Sequence, residues 1–128
     1  TIATTGNATN FGSLSQALSL IAACSSATRG IFAGGSNSSS NVSEIQYITI
    51  ATTGNGTSFG TLVGATTEAA GCSSSTRGVF GGGQGSTNIQ SVMQYITIAS
   101  TGNATNFGTL ITAGRDFGAC SNSSGGVQ

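Results

Sequence analysis

The feature that most constrains this chain is an internal period. The triplet Thr-Gly-Asn begins at Thr5, Thr53 and Thr101, and the cysteines stand at Cys24, Cys72 and Cys120, so both recur every 48 residues. A fixed step with no insertion means one supersecondary unit copied in tandem, each copy leaning on its neighbours for burial. Equivalent positions must then share one conformation, which makes every reading of one copy testable on the next.

Helical spacing of apolar residues occurs weakly at Leu14, Leu18 and Ile21. The matching segments 62–71 and 110–119 do not repeat it and carry Gly64, Gly71, Gly114 and Gly118, so a helix is rejected. Each copy instead reads as four strands. The first is short and made of small residues, 69–74, with counterparts at 21–26 and 117–122. The second, 78–82 and 30–35, has Val79-Phe80 or Ile31-Phe32 at its centre and leaves through glycines. The third, 91–100 and 42–52, is apolar on both faces, so both should be covered rather than one facing water. The fourth runs over 105–111, centred on Phe107 and Leu110, with repeats at Phe59 and Leu62 and at Phe11 and Leu14. The Gly-Asn of the repeated triplet predicts a tight hairpin between the third and fourth strands, both residues tolerating positive φ.

Four antiparallel strands in about 40–50 residues, wanting cover on both faces, describe a propeller blade. The expected fold is therefore all-β, with propeller blades stacked about an axis and the small-residue first strand innermost. The alternative is a β-solenoid with three coils per repeat, against which no shorter internal period is visible. The blade reading divides the chain into an outer half-blade (1–19), blades at 20–67 and 68–115, and an inner half-blade (116–128). Propellers close with roughly 4–8 blades, so the expected partners are further blades of the same polypeptide or identical subunits. Thr1 corresponds to Thr49 and Thr97, within a strand, and Gln128 to Phe80, so the chain reads as a segment of something longer.

Charge is nearly absent. The chain has three arginines and three acids, no lysine and no histidine, with 5% charged residues against about 25% in ordinary domains. Three scattered arginines make no basic patch for phosphates, which sets nucleic acid aside. No apolar run approaches the ~18 residues of a membrane span. The Ser, Thr, Asn and Gly richness suggests low complexity, but the apolar residues recur at fixed places and argue for a fold. One cysteine per copy does not make a disulfide framework. Sheets packed about 10 Å apart would hold equivalent thiols beyond disulfide reach, so the cysteines read as small buried hydrophobes.

Residues 77–83 (Arg-Gly-Val-Phe-Gly-Gly-Gly), then Tyr95 and the aromatic Phe107, resemble the kelch repeat, which has a double glycine after its second strand and aromatics in the next two. Arg115 falls where that family often has an arginine between blades, although Ser19 and Thr67 stand at the equivalent positions and Trp is absent. The phrase at 98–110, with Ala119-Cys120-Ser121, is similar to kelch-like repeat proteins of marine phages and cyanophages. That resemblance implies a virion-associated, extracellular, non-enzymatic module: a structural or adhesive part of a tail fibre or surface appendage, binding host-surface glycan or protein. An architectural self-assembling repeat and a fragment of a propeller carbohydrate enzyme are the alternatives.

Chemistry-bearing constellations are few. Without histidine there is no common general base and no Ser-His-acid relay. Glu44 has no acidic counterpart, while Glu68 and Asp116 correspond to one another and read as a solvated link between blades. The glycines at 34–35 and 81–83 lack the lysine and helix start of a phosphate loop and read as strand exits. No cofactor or metal site is expected. Asn-x-Ser/Thr triplets at Asn7, Asn37, Asn41, Asn55, Asn103 and Asn122 are expected to stay bare in a phage protein. The loops that differ most between copies, after the second strand, are where specificity would sit: Ser36, Asn37, Ser38 and Asn41 in one, Gln84, Thr87 and Asn88 in the other.

Overall fold

The computed structural model describes residues 5–121. Among them every regular element is a strand: β1 (Ala22–Ser25), β2 (Arg29–Ala33), β3 (Glu44–Thr49), β4 (Thr57–Thr61), β5 (Ala70–Ser73), β6 (Arg77–Gly81), β7 (Val92–Thr97) and β8 (Thr105–Thr109). They form two four-stranded antiparallel meanders, β1-β2-β3-β4 and β5-β6-β7-β8. All eight strands lie within the segments the sequence assigns, or one residue outside them, and each meander falls inside one 48-residue copy. The registers match copy for copy, Cys24 opposite Ile31 opposite Tyr47 and Cys72 opposite Val79 opposite Tyr95. Each third strand carries an irregularity at its middle, Ile45/Gln46 or Met93/Gln94.

The strands are shorter than the apolar runs because hydrogen bonding ends them. Past Thr49 and Thr97 the chain turns, Thr49 O accepting from Thr52 N and Thr97 O from Ser100 N. The second strands end where Gly34, Gly35, Gly82 and Gly83 take positive φ of 64°, 102°, 67° and 98°, a region glycine enters without penalty. Residues 117–121 form no strand, and Asn122, the last of that expected segment, lies outside the described residues. Residues 5–18 are likewise not a strand, although they lie along the first sheet.

The core lies between the sheets. Ala22, Ile31, Ala33, Ile45, Phe59 and Leu62 of the first copy meet Phe80, Ile96 and Ile98 of the second. Strand alternation explains the division. Ile31, Ala33, Ile45 and Tyr47 share one face of the first sheet by register, and Gly78, Phe80, Gln94 and Ile96 share the opposite face of the second. Each buried Phe or Ile contributes about 1.5–3 kcal/mol. Strand-to-strand packing between the sheets is closest between β1 and β5. There a Cβ on Gly71 would stand 2.5 Å from the carbonyl oxygen of Ala23, so only glycine lets the backbones approach so nearly.

The hairpin expectation fails. Neither Gly54-Asn55 nor Gly102-Asn103 has positive φ. The connection is a longer loop whose polar groups reach back to the preceding copy. Gly102 N donates to Phe59 O at 2.8 Å, Ala104 N to Thr61 O at 2.8 Å, and Thr61 N to Asn103 Oδ1 at 3.0 Å. The same three bonds recur one copy earlier, from Gly54, Gly56 and Ser13. The repeated triplet is thus a clasp between copies. It also accounts for the glycine after each phenylalanine: a Cβ on Gly60 would stand 2.2 Å from Gly102 O.

Candidate functional site

The structure brings the two variable loops together. Asn41 Nδ2 donates to Gln84 O at 3.1 Å and Gly85 O at 3.3 Å, tying the first loop to the second. The candidate residues then separate by what their side chains are already doing. Asn37 is committed to its own loop, its Oδ1 accepting from Ser39 N and Ser40 N at 2.9 Å each while its Nδ2 donates to Gln16 Oε1 at 3.1 Å. Ser36 Oγ donates to Asn37 O at 3.1 Å, and Gln84 Nε2 to Gly85 O at 3.0 Å. These four residues shape the loops. Ser38, Thr87 and Asn88 are exposed, the last two bonded within their own loop.

A groove of about 330 Å³ opens beside the second loop, within the range of small-molecule sites. Ser86, Thr87, Asn88 and Gln90 line it from the loop, and Gly64 and Thr66 from the link between copies. Its loop wall is pre-set, since Asn88 Oδ1 accepts from Gln90 Nε2 at 2.9 Å and from Thr87 Oγ1 at 3.3 Å. Every group on it is neutral. Apolar Val63, Ala65 and Val92 line the groove beside the hydroxyl and amide groups, and no charge is available to hold an ion. Among the described residues no group of three or more acids or cysteines could hold a metal ion.

The ends of the core carry polar staples that sequence reading missed. Gln46 Oε1 accepts from Ser15 N at 2.9 Å and Gln94 Oε1 from Val63 N at 2.7 Å. Each buried glutamine therefore holds the chain as it leaves the outer strand of the copy before. Arg29 stacks over the Tyr47 ring at 4.5 Å, and its Nη1 donates to Ile98 O of the next copy at 2.8 Å. Arg77 stacks over Tyr95 at 4.9 Å in the same way. The signal was a Gln and an Arg repeated at a step of 48 within otherwise apolar strands.

The link between copies holds more than solvated charge. Leu20, Glu68 and Asp116 share φ of 56°, 58° and 58°, the left-handed region that non-glycine residues seldom enter. Their backbones join copy to copy, Glu68 N donating to Leu20 O at 3.1 Å and Asp116 N to Glu68 O at 3.3 Å. Arg115 Nη1 stands 3.4 Å from Glu68 Oε2, with side chains 46% and 16% exposed, and faces an oxygen that is buried without a hydrogen bond.

The three cysteines are free. The even 10 Å separation expected of the sheets does not hold at this end, because β1 and β5 converge. Burial, and next the neighbouring Cys72, push the Cys24 thiol from 9.0 up to about 12. A thiol so raised is a poor nucleophile; the expectation of buried cysteines holds only in part, Cys24 and Cys72 being half-buried and Cys120 exposed.

No protein-family model matches the chain, and no curated protein matches it.

Proposed function

We propose that the two sheets are successive blades of a kelch-like β-propeller, and that the chain is a non-enzymatic structural and adhesive module of a phage virion which binds carbohydrate in the groove beside Thr87 and Asn88. Three things support the blade reading: one meander per 48-residue copy, small residues in the closest strands, and the copy-to-copy backbone bonds at Leu20, Glu68 and Asp116. The observation that carries the binding reading is the groove itself, where neutral Thr87, Asn88 and Gln90, on a loop fixed from behind by Asn41, stand beside apolar Val63, Ala65 and Val92. The virion and its extracellular setting rest on the resemblance to marine phage repeat proteins. The absence of histidine and of clustered acids supports a non-enzymatic role.

The test is a glycan array followed by titration of any sugar bound. Asn88→Ala and Thr87→Ala are each expected to weaken binding about threefold to tenfold, the worth of one neutral hydrogen bond. No binding across the array would overturn the adhesive reading and leave the second one, an architectural repeat, which the apolar outer faces of the sheets favour, Phe107 and Ile50 being 53% and 44% exposed.

A further inference from the structure

Equivalent residues of the two copies differ sharply in exposure. Phe59 is 3% exposed and Phe107 is 53%; Ile98 is 1% exposed and Ile50 is 44%. Residue type and local conformation are the same within each pair. The difference is that Phe59 and Ile98 lie between the sheets, whereas Phe107 and Ile50 lie on their outer faces. The outer face of the second sheet (Val79, Tyr95, Phe107) repeats the buried face of the first (Ile31, Tyr47, Phe59). The outer face of the first (Phe32, Ile48, Ile50) repeats the buried face of the second (Phe80, Ile96, Ile98). The molecule therefore displays, at opposite ends, the two halves of the interface it already contains. An apolar hollow of about 280 Å³ lies between one of them, at Cys72, Val79 and Met93, and the segment Phe117 to Ala119.

We propose that this chain associates head to tail with a second copy, the outer face of the second sheet of one molecule packing on the outer face of the first sheet of the next. Residues 10–15 and 116–121 lie over these faces and would be exchanged. The backbone hydrogen bonds they give up have equivalents in the partner, whereas Ser15 Oγ, which accepts from Gln46 Nε2 at 2.8 Å and donates to Glu44 Oε2 at 3.1 Å, has none, since Ile111 takes its place. Phe107 O, Thr109 O and Ile111 N of the incoming chain stand where Phe11 O, Ser13 O and Ser15 N now bond Gly54 N, Gly56 N and Gln46 Oε1. Leu20 N of the second copy replaces Asp116 N on Glu68 O. The exchange keeps the backbone bonds level, gives up the two bonds of Ser15 Oγ and gains apolar burial, and Arg77 gains the carbonyl of Ile50 as Arg29 holds that of Ile98. Such a heterologous contact closes into a ring or runs on as a filament. The inference stands on the interface within the chain and is independent of any sugar.

Sedimentation equilibrium of the full chain tests it. The wild type should associate with rising concentration. Phe107→Asp and Ile50→Asp change residues already exposed in the single molecule, so each should fold, and each alone should associate at least ~10-fold more weakly, a loss of ~1.4 kcal/mol. Mixed together, these two variants should form a one-to-one dimer and nothing larger, since each retains the face the other lacks. A wild type monomeric at every concentration, or a mixture no more associated than its parts, would overturn the proposal. Should either variant lose its sheet circular dichroism, Arg77→Gln provides the milder substitution, expected to weaken association with the fold intact; unchanged association would count against the predicted register.

Discussion

At the scale of single residues, the interior owes its specificity to a few polar side chains set among apolar ones. Gln46 and Gln94 are 2% and 5% exposed, and each gives a backbone N–H of the neighbouring copy the acceptor it would lack in a dry interior. Cys24 shows the opposite device, a polarisable group kept neutral. Its thiol titrates at about 12 rather than 9.0, first because burial disfavours the thiolate and then because Cys72 adjoins it. A raised folded-state value means that the neutral thiol stabilises the fold in full below about 9. That contribution is lost as pH climbs toward about 12. Iodoacetamide at mildly alkaline pH should therefore label exposed Cys120 well before Cys24; equal labelling rates would show that Cys24 is not sheltered.

At the scale of elements, the strands and their antiparallel grouping within a copy were legible, and the contacts between copies were not. Short runs between glycine exits and polar turns placed all four strands of each copy, the first by its small residues and the third by apolar side chains on both faces. The Thr-Gly-Asn turn misled, because Gly-Asn has two physical uses. It can adopt positive φ in a tight turn, or it can offer a bare backbone N–H and an amide to a neighbouring strand. Only the position of that strand decides between them, and Phe59 O at 2.8 Å from Gly102 N decided for the second. Of the two variable loops, the location was legible as the stretch that differs between copies. Which side chains stay free was not, since the bonds that engage Asn37 and Asn41 come from Gln16 and from residues 84–85, distant in sequence. Element context also predicts unequal mutants at equivalent sites. Phe59→Ala should destabilise by about 3–5 kcal/mol, as for a buried phenylalanine. Phe107→Ala should stay within about 0.5 kcal/mol in the monomer, as for a surface change. Urea midpoints read both, and equal losses would mean that the sheets do not pack as described.

At the scale of the whole molecule, near-absence of charge and a strict period act together. With 5% charged residues, neutral amides, hydroxyls and backbone groups provide most of the polar contacts between copies. Such contacts fit one copy to the next in a fixed register without regard to sign. The same economy makes both outer faces tolerant of another copy of themselves, and glycine-lined approaches such as Gly71 on Ala23 keep the inner strands close. The account rests on one arrangement: two meanders, one per copy, face to face across a shared apolar layer. Nuclear Overhauser contacts in the monomer measure that layer directly. Cross-peaks should join Ile31, Ile45 and Phe59 to Phe80, Ile96 and Ile98; contacts confined within each 48-residue copy would contradict it.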